Sequence, residues 1–173
     1  MQLLHQTISK LKGFKEWFDT LSLYESQLVL GLSGSVKHLA ESCAFEKLDK
    51  QLVIVTPTLL QATQTYEELS EWYDEDIVHL FPVEESLAAD FSVVSPDVVS
   101  QRIRTLDFLS RGQKGIVIVP LSGIQKLIVP VDVWKKSSIE LAMGSEIESM
   151  DAFVEQLVEL GYRRENMVAT PGE

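Results

Sequence analysis

The stretch Gly31-Leu32-Ser33-Gly34-Ser35-Val36-Lys37-His38 comes nearest to a recognisable chemistry. A phosphate-binding P-loop follows a strand, opens a helix and reads G-x-x-x-x-G-K-[ST]. Its second glycine lets backbone amides curl toward phosphate, its Lys neutralises the outer phosphates, and its hydroxyl binds Mg²⁺. Here Gly31 and Lys37 match, but Val36 stands at the second glycine and His38 at the hydroxyl. A β-branched side chain resists positive φ, and imidazole is a poor ligand for a hard cation. The pattern reads as a turn that no longer binds nucleotide. Residual anion binding at the helix N-terminus is the alternative.

Other chemistry-bearing residues are scattered. Asp74-Glu75-Asp76 and Glu84-Glu85 fall in loop-like positions, where charge runs are ordinarily solvated faces. His5, His38 and His79 are far apart and show no metal-ligand spacing. His79 lies within an apolar strand and reads as a packed side chain, and Cys43 falls on an inward helical stripe and reads as core. Tyr162-Arg163-Arg164 differs from its surroundings. Between 137 and 173 there are two basic and eight acidic residues, a net −6, and the two positive charges are adjacent. They read either as solvated arginines or as a salt-bridging spot on a partner surface, where Arg is enriched.

The elements that position these residues alternate between strand and helix. Residues 2–18 have near-helical apolar spacing, and Gln27-Leu28-Val29-Leu30-Gly31 reads as a buried strand ending in a glycine turn. Residues 35–47 read as a helix. Leu52-Val53-Ile54-Val55 reads as a parallel strand covered on both faces, stopped at Thr56-Pro57. Thr58 opens a helix with Leu59, Ala62, Tyr66 and Leu69 inward, and Ile77–Phe81 forms the next strand. Ser95-Pro96-Asp97 is a strong helix start, Gly112 its stop, and Gly115 to Val119 the most strand-like run, followed by a short helix through Ile124 and Leu127. The expected fold is a parallel α/β sheet over about residues 20–130, with helices on both faces. Its core would hold Leu28, Leu30, Val53, Val55, Leu80, Val117 and Val119.

After Pro130 the pattern changes. Residues 132–138 read as a linker, Ile139–Met143 as a strand with one wet face, and the stretch after Ser149 as a helix ended by Gly161. Met167–Thr170 reads as a last extended stretch. The expected division is 1–135 as a first domain and 136–173 as the start of a small α+β domain, cut short, because so small a piece cannot close its own core.

Composition narrows the function classes. The 173 residues are 45% hydrophobic, with 15 basic against 26 acidic side chains, a net −11, and the mean hydropathy is +0.06. This is a globular composition with a surface that repels phosphate backbones. No apolar run is long enough to span a membrane, and Met1–Phe18 lacks the pattern of a secretory signal. A single cysteine excludes an internal disulfide and fits a reducing cytoplasm.

The chain resembles the N-terminal region of the bacterial transcription-repair coupling factors (the Mfd family). The resemblance rests on residues 27–35, Ser95-Pro96-Asp97 with Gln101-Arg102, Pro130–Lys135, Gly161–Val168, and Pro171-Gly172-Glu173, all in family order. It implies similarity to the excision-repair protein UvrB, with a helicase-like first domain whose P-loop, residues 31–38, is degenerate. The family's activity is ATP-dependent DNA translocation that displaces RNA polymerase. The resemblance places that motor, its ATP and Mg²⁺, and the contacts to DNA and RNA polymerase beyond residue 173. It gives this region no cofactor and makes UvrA its partner. The family motif is Tyr-x-Arg, so Arg164 matches the partner-contacting arginine and Arg163 occupies the variable position. The alternative from the residues alone is a small P-loop-like nucleotide-binding enzyme. Against it stand Val36, His38 and the lack of an acidic strand end at Gly31, Thr56-Pro57, Phe81-Pro82 or Val119-Pro120.

Overall fold

The computed structural model describes residues 12–23, 26–83, 95–125, 127–139, 141–147 and 149–167. Two compact units result: 1–83 with 111–126, and 84–110 with 127–173.

The first unit is built on three parallel strands, β1 (Leu52–Thr56), β2 (Val78–Leu80) and β3 (Ile116–Pro120), in the order β1-β3-β2. Leu52 pairs with Ile116 and Ile54 with Ile118 on one side, while Val78 pairs with Ile116 and Leu80 with Ile118 on the other. Partners in register share a face, so Ile54, Ile116, Ile118, Val78 and Leu80 form one apolar surface. It packs with Ala62 and Leu69 of α3 (Leu59–Ser70) and Phe45 of α2 (Ser35–Leu48) into the core cluster. Thr58 caps α3 by accepting from the Gln61 amide at 3.2 Å, as the Thr56-Pro57-Thr58 sequence requires. The unit also contains α1 (Lys12–Thr20) and the four-residue α5 (Leu121–Ile124). At Gly123 of α5 an added Cβ would lie 2.8 Å from Val119 Cγ2 and 3.0 Å from Val83 Cγ2, so only glycine lets this turn sit on the sheet.

The α/β class and the parallel sheet are as expected, as is the burial of Leu80, Val117 and Val119. Four other expected core residues are not buried. Val53 and Val55 are 50% and 46% exposed, because β1 is an edge strand covered on its Ile54 face only. Leu28 and Leu30 are 83% and 79% exposed, and residues 26–30 form no strand. An apolar run becomes a strand only where a neighbour offers a ladder, and among the described residues none pairs with this one.

The second unit contains nearly all of α4 (Pro96–Arg111), then α6 (Val131–Lys136) and α7 (Met150–Glu159). The expected linker at 132–138 is largely the helix α6. Asp132 in its first turn and Lys135 and Lys136 in its last complement the helix dipole, a signal that the polar composition masked. The expected strand at 139–143 is absent among the described residues; Glu140 lies outside them. Ala142 to Ser145 is instead a turn, with the Ser145 amide donating to the Ala142 carbonyl at 3.0 Å and Gly144 at φ 92°. Ser149 caps α7 as expected, accepting from the Ala152 amide at 3.3 Å. Of the residues its spacing turns inward, Phe153, Val154, Leu157 and Leu160 are only half-buried and Val158 is exposed. Residues 2–11 of the first expected helix and 168–173 of the last stretch lie outside the described residues.

Candidate functional site

The two groups of residues singled out by sequence fall in different units. In the first unit, Gly31 (φ 85°) and Gly34 (φ 58°) both take positive φ, which side chains resist. They deliver the chain to the start of α2, where Gly34 is the N-cap and supplies no side-chain cap. Ser35 is the first helical residue. Val36 follows inside the helix, and among the described residues only Asp49 has positive φ without being glycine. The backbone therefore does not curl at the second-glycine position.

The charges of this turn are taken up locally. Lys37 Nζ lies 3.7 Å from Glu41 Oε1, one helical turn on. His38 is buried, with Nδ1 2.9 Å from Glu41 Oε2 and Nε2 4.0 Å from Glu68 Oε2 on α3. Glu41 was legible as the i,i+4 partner of Lys37. Glu68 was not, because only the packing of α3 on α2 brings it near.

The remaining candidates take structural places. Cys43 is buried, and its thiol is pushed above its usual range by burial first and by Glu46 second. Thiolate is the reactive form and the thiol is buried, so Cys43 should react with Ellman's reagent at pH 8 more slowly in the folded chain than in urea. Equal rates would contradict its placement in the core. Ser42 Oγ lies 2.5 Å from the Tyr73 hydroxyl, and burial pushes the Tyr73 phenol up to about 12. His79 is half-buried in β2 and its Nε2 donates to the Asp76 carbonyl at 3.2 Å. Asp74, Glu75 and Asp76 are exposed. His5, Glu84 and Glu85 lie outside the described residues. No group of three metal-binding side chains occurs among the described residues.

In the second unit, α7 ends in two hydrogen bonds that fix the direction in which the chain leaves it. The Gly161 amide donates to the Val158 carbonyl at 3.0 Å and the Tyr162 amide to the Leu157 carbonyl at 3.0 Å, with Gly161 at φ 95°. This is a Schellman motif, and it requires the left-handed residue that Gly161 supplies. Tyr162, Arg163 and Arg164 leave the helix from this fixed corner, and all three are exposed. Neither arginine forms an ion pair with another described residue.

Fold and sites together define an α/β protein on a small open parallel sheet, carrying a glycine turn in one unit and an exposed Tyr-Arg-Arg corner in the other. No family model matches the chain. Its curated relatives include the transcription-repair-coupling factor of Staphylococcus epidermidis, 39% identical over 166 residues, which span 96% of this chain and 14% of the relative. That of Staphylococcus haemolyticus is 35% identical over 171 residues, 99% of this chain and 14% of the relative. That of Staphylococcus aureus strain USA300 is 37% identical over 146 residues, 84% and 12% respectively. The chain belongs with the transcription-repair-coupling factors, and the stretch it matches is their N-terminal part. It spans about one-seventh of the length of these relatives. Among the described residues no helix is long and apolar enough to cross a membrane.

Proposed function

We propose that this chain is a non-catalytic interaction module of a transcription-repair coupling factor, helping to recruit UvrA to stalled transcription in the bacterial cytoplasm. On this reading, ATP-driven DNA translocation, displacement of RNA polymerase, and the ATP and Mg²⁺ they use belong to parts of the coupling factor outside this stretch. The observation that carries the reading is the exposed Arg164 at the corner fixed by Gly161, matching the family's Tyr-x-Arg. A guanidinium offers a planar two-pronged donor suited to a carboxylate on the partner. The acidic stretch around it makes this basic spot selective for an acidic patch. Titrating UvrA into the full-length protein in a calorimeter tests the reading. A saturable complex supports it, and no heat at tens of micromolar UvrA contradicts it.

The alternative, a small nucleotide-binding enzyme, draws support from Gly31, Gly34 and Lys37 at the start of α2. The residues do not fit Mg·ATP. Val36 is helical where amides would have to turn, Lys37 is paired with Glu41, and His38 faces two carboxylates instead of presenting a hydroxyl. Carboxylates at this turn also repel phosphate. The chain is therefore expected to give no calorimetric ATP binding tighter than about 1 mM, a free energy of only ~4 kcal/mol. Micromolar affinity abolished by Lys37→Ala would reverse the assignment.

A further inference from the structure

We propose that α1 is a detachable strap, latched at its C-terminal end by Lys47 of α2, over an apolar seat beside the glycine turn. The seat is loosely filled. Phe14 and Trp17 stack edge to face, with centroids 5.5 Å apart, and with Val29, Leu30 and Leu32 they line a half-open cavity of about 360 Å³. None of the described α1 side chains is fully buried, whereas α2 buries six residues and α3 three. Apolar contact alone therefore holds α1 weakly.

The latch supplies what α1 lacks. A helix C-terminus carries unsatisfied carbonyls and partial negative charge, and favours a cation there. The last turn of α1 has no basic residue. Lys47 provides the cation from the neighbouring helix. Its ammonium donates to the Phe18 carbonyl, lies 3.9 Å from Asp19 Oδ1, and sits 4.3 Å from the centroid of the Phe18 ring. The neighbouring carbonyl of Thr20 accepts from Gln27 Nε2 at 2.7 Å. One side chain thus makes three contacts to two adjacent residues of α1. Its loss should free the helix without touching the sheet, and release would uncover the half-buried Leu32 beside the already exposed Val29 and Leu30.

Hydrogen exchange on the whole chain tests this with Lys47→Ala and Lys47→Arg. In Lys47→Ala, amides of 13–20 should exchange at least about tenfold faster, while those of Ile116–Val119 keep their wild-type rates. Lys47→Arg, which keeps the cation, should stay within about threefold of wild type. Unchanged exchange of α1 in Lys47→Ala would overturn the proposal. So would equal acceleration of α1 and the sheet, or an Arg variant indistinguishable from Ala.

Discussion

Ile118→Ala should lower the unfolding free energy of this chain by about 2–5 kcal/mol, the range for removing a large buried aliphatic side chain and leaving a cavity. Ile118 is fully buried at the centre of the middle strand, paired with Ile54 on one side and Leu80 on the other. It therefore loses neighbours in both strands and in the helix layer. Val53→Ala provides the contrast. Val53 belongs to an equally apolar run, yet it sits on the open face of β1. Its loss should cost under about 1 kcal/mol, as for a surface position. Urea unfolding of the two variants checks this. Equal losses would mean that the open face of β1 is covered in solution.

That pair of residues also shows what the sequence made legible. A continuous run of β-branched residues identified β1 and β3 as strands, and side-chain chemistry located Thr58, Ser95-Pro96 and Ser149 at helix starts. Runs of this kind carry no record of strand order. Whether Val53 is buried depends on β1 lying at the edge and β3 at the centre, which only the assembled sheet decides. Leu28 and Leu30 failed for the same reason, since among the described residues their run has no pairing neighbour. In the second unit the misreading ran the other way. Asp132, Lys135 and Lys136 looked like a polar linker, although their order along the chain is that of a helix with its dipole complemented.

The glycine turn was legible by its departures. Val36 and His38 stand where the phosphate-binding pattern has a glycine and a hydroxyl, and the Lys37–Glu41 spacing is that of an ion pair along one helix face. The approach of Glu68 to His38 and the reach of Lys47 to α1 were not legible, because each joins two helices through tertiary packing. The Arg corner lay between these cases. Gly161 marked a helix stop, but only the paired amides of Gly161 and Tyr162 show that the chain's exit from the helix is fixed.

Arg164→Ala in the full-length protein should weaken binding to UvrA by at least about tenfold, or ~1.4 kcal/mol. The size depends on where the arginine sits in the complex. A desolvated charge pair that loses one partner costs roughly 2–5 kcal/mol. A pair on the wet rim costs nearer 0–1 kcal/mol and fades with salt. Arg163 and Arg164 are the two basic residues between 137 and 173, so within this stretch only Arg163 remains to replace the lost fork. Arg163→Ala should change the affinity less, because the proposed contact rests on Arg164. The decisive measurement is the ratio of UvrA dissociation constants for the Arg164→Ala and Arg163→Ala proteins, taken by calorimetry with circular dichroism matched to wild type. A ratio of about ten or more, with Arg164→Ala the weaker binder, is the expected result. Wild-type affinity in the Arg164→Ala protein, with its fold intact, would contradict recruitment through this corner.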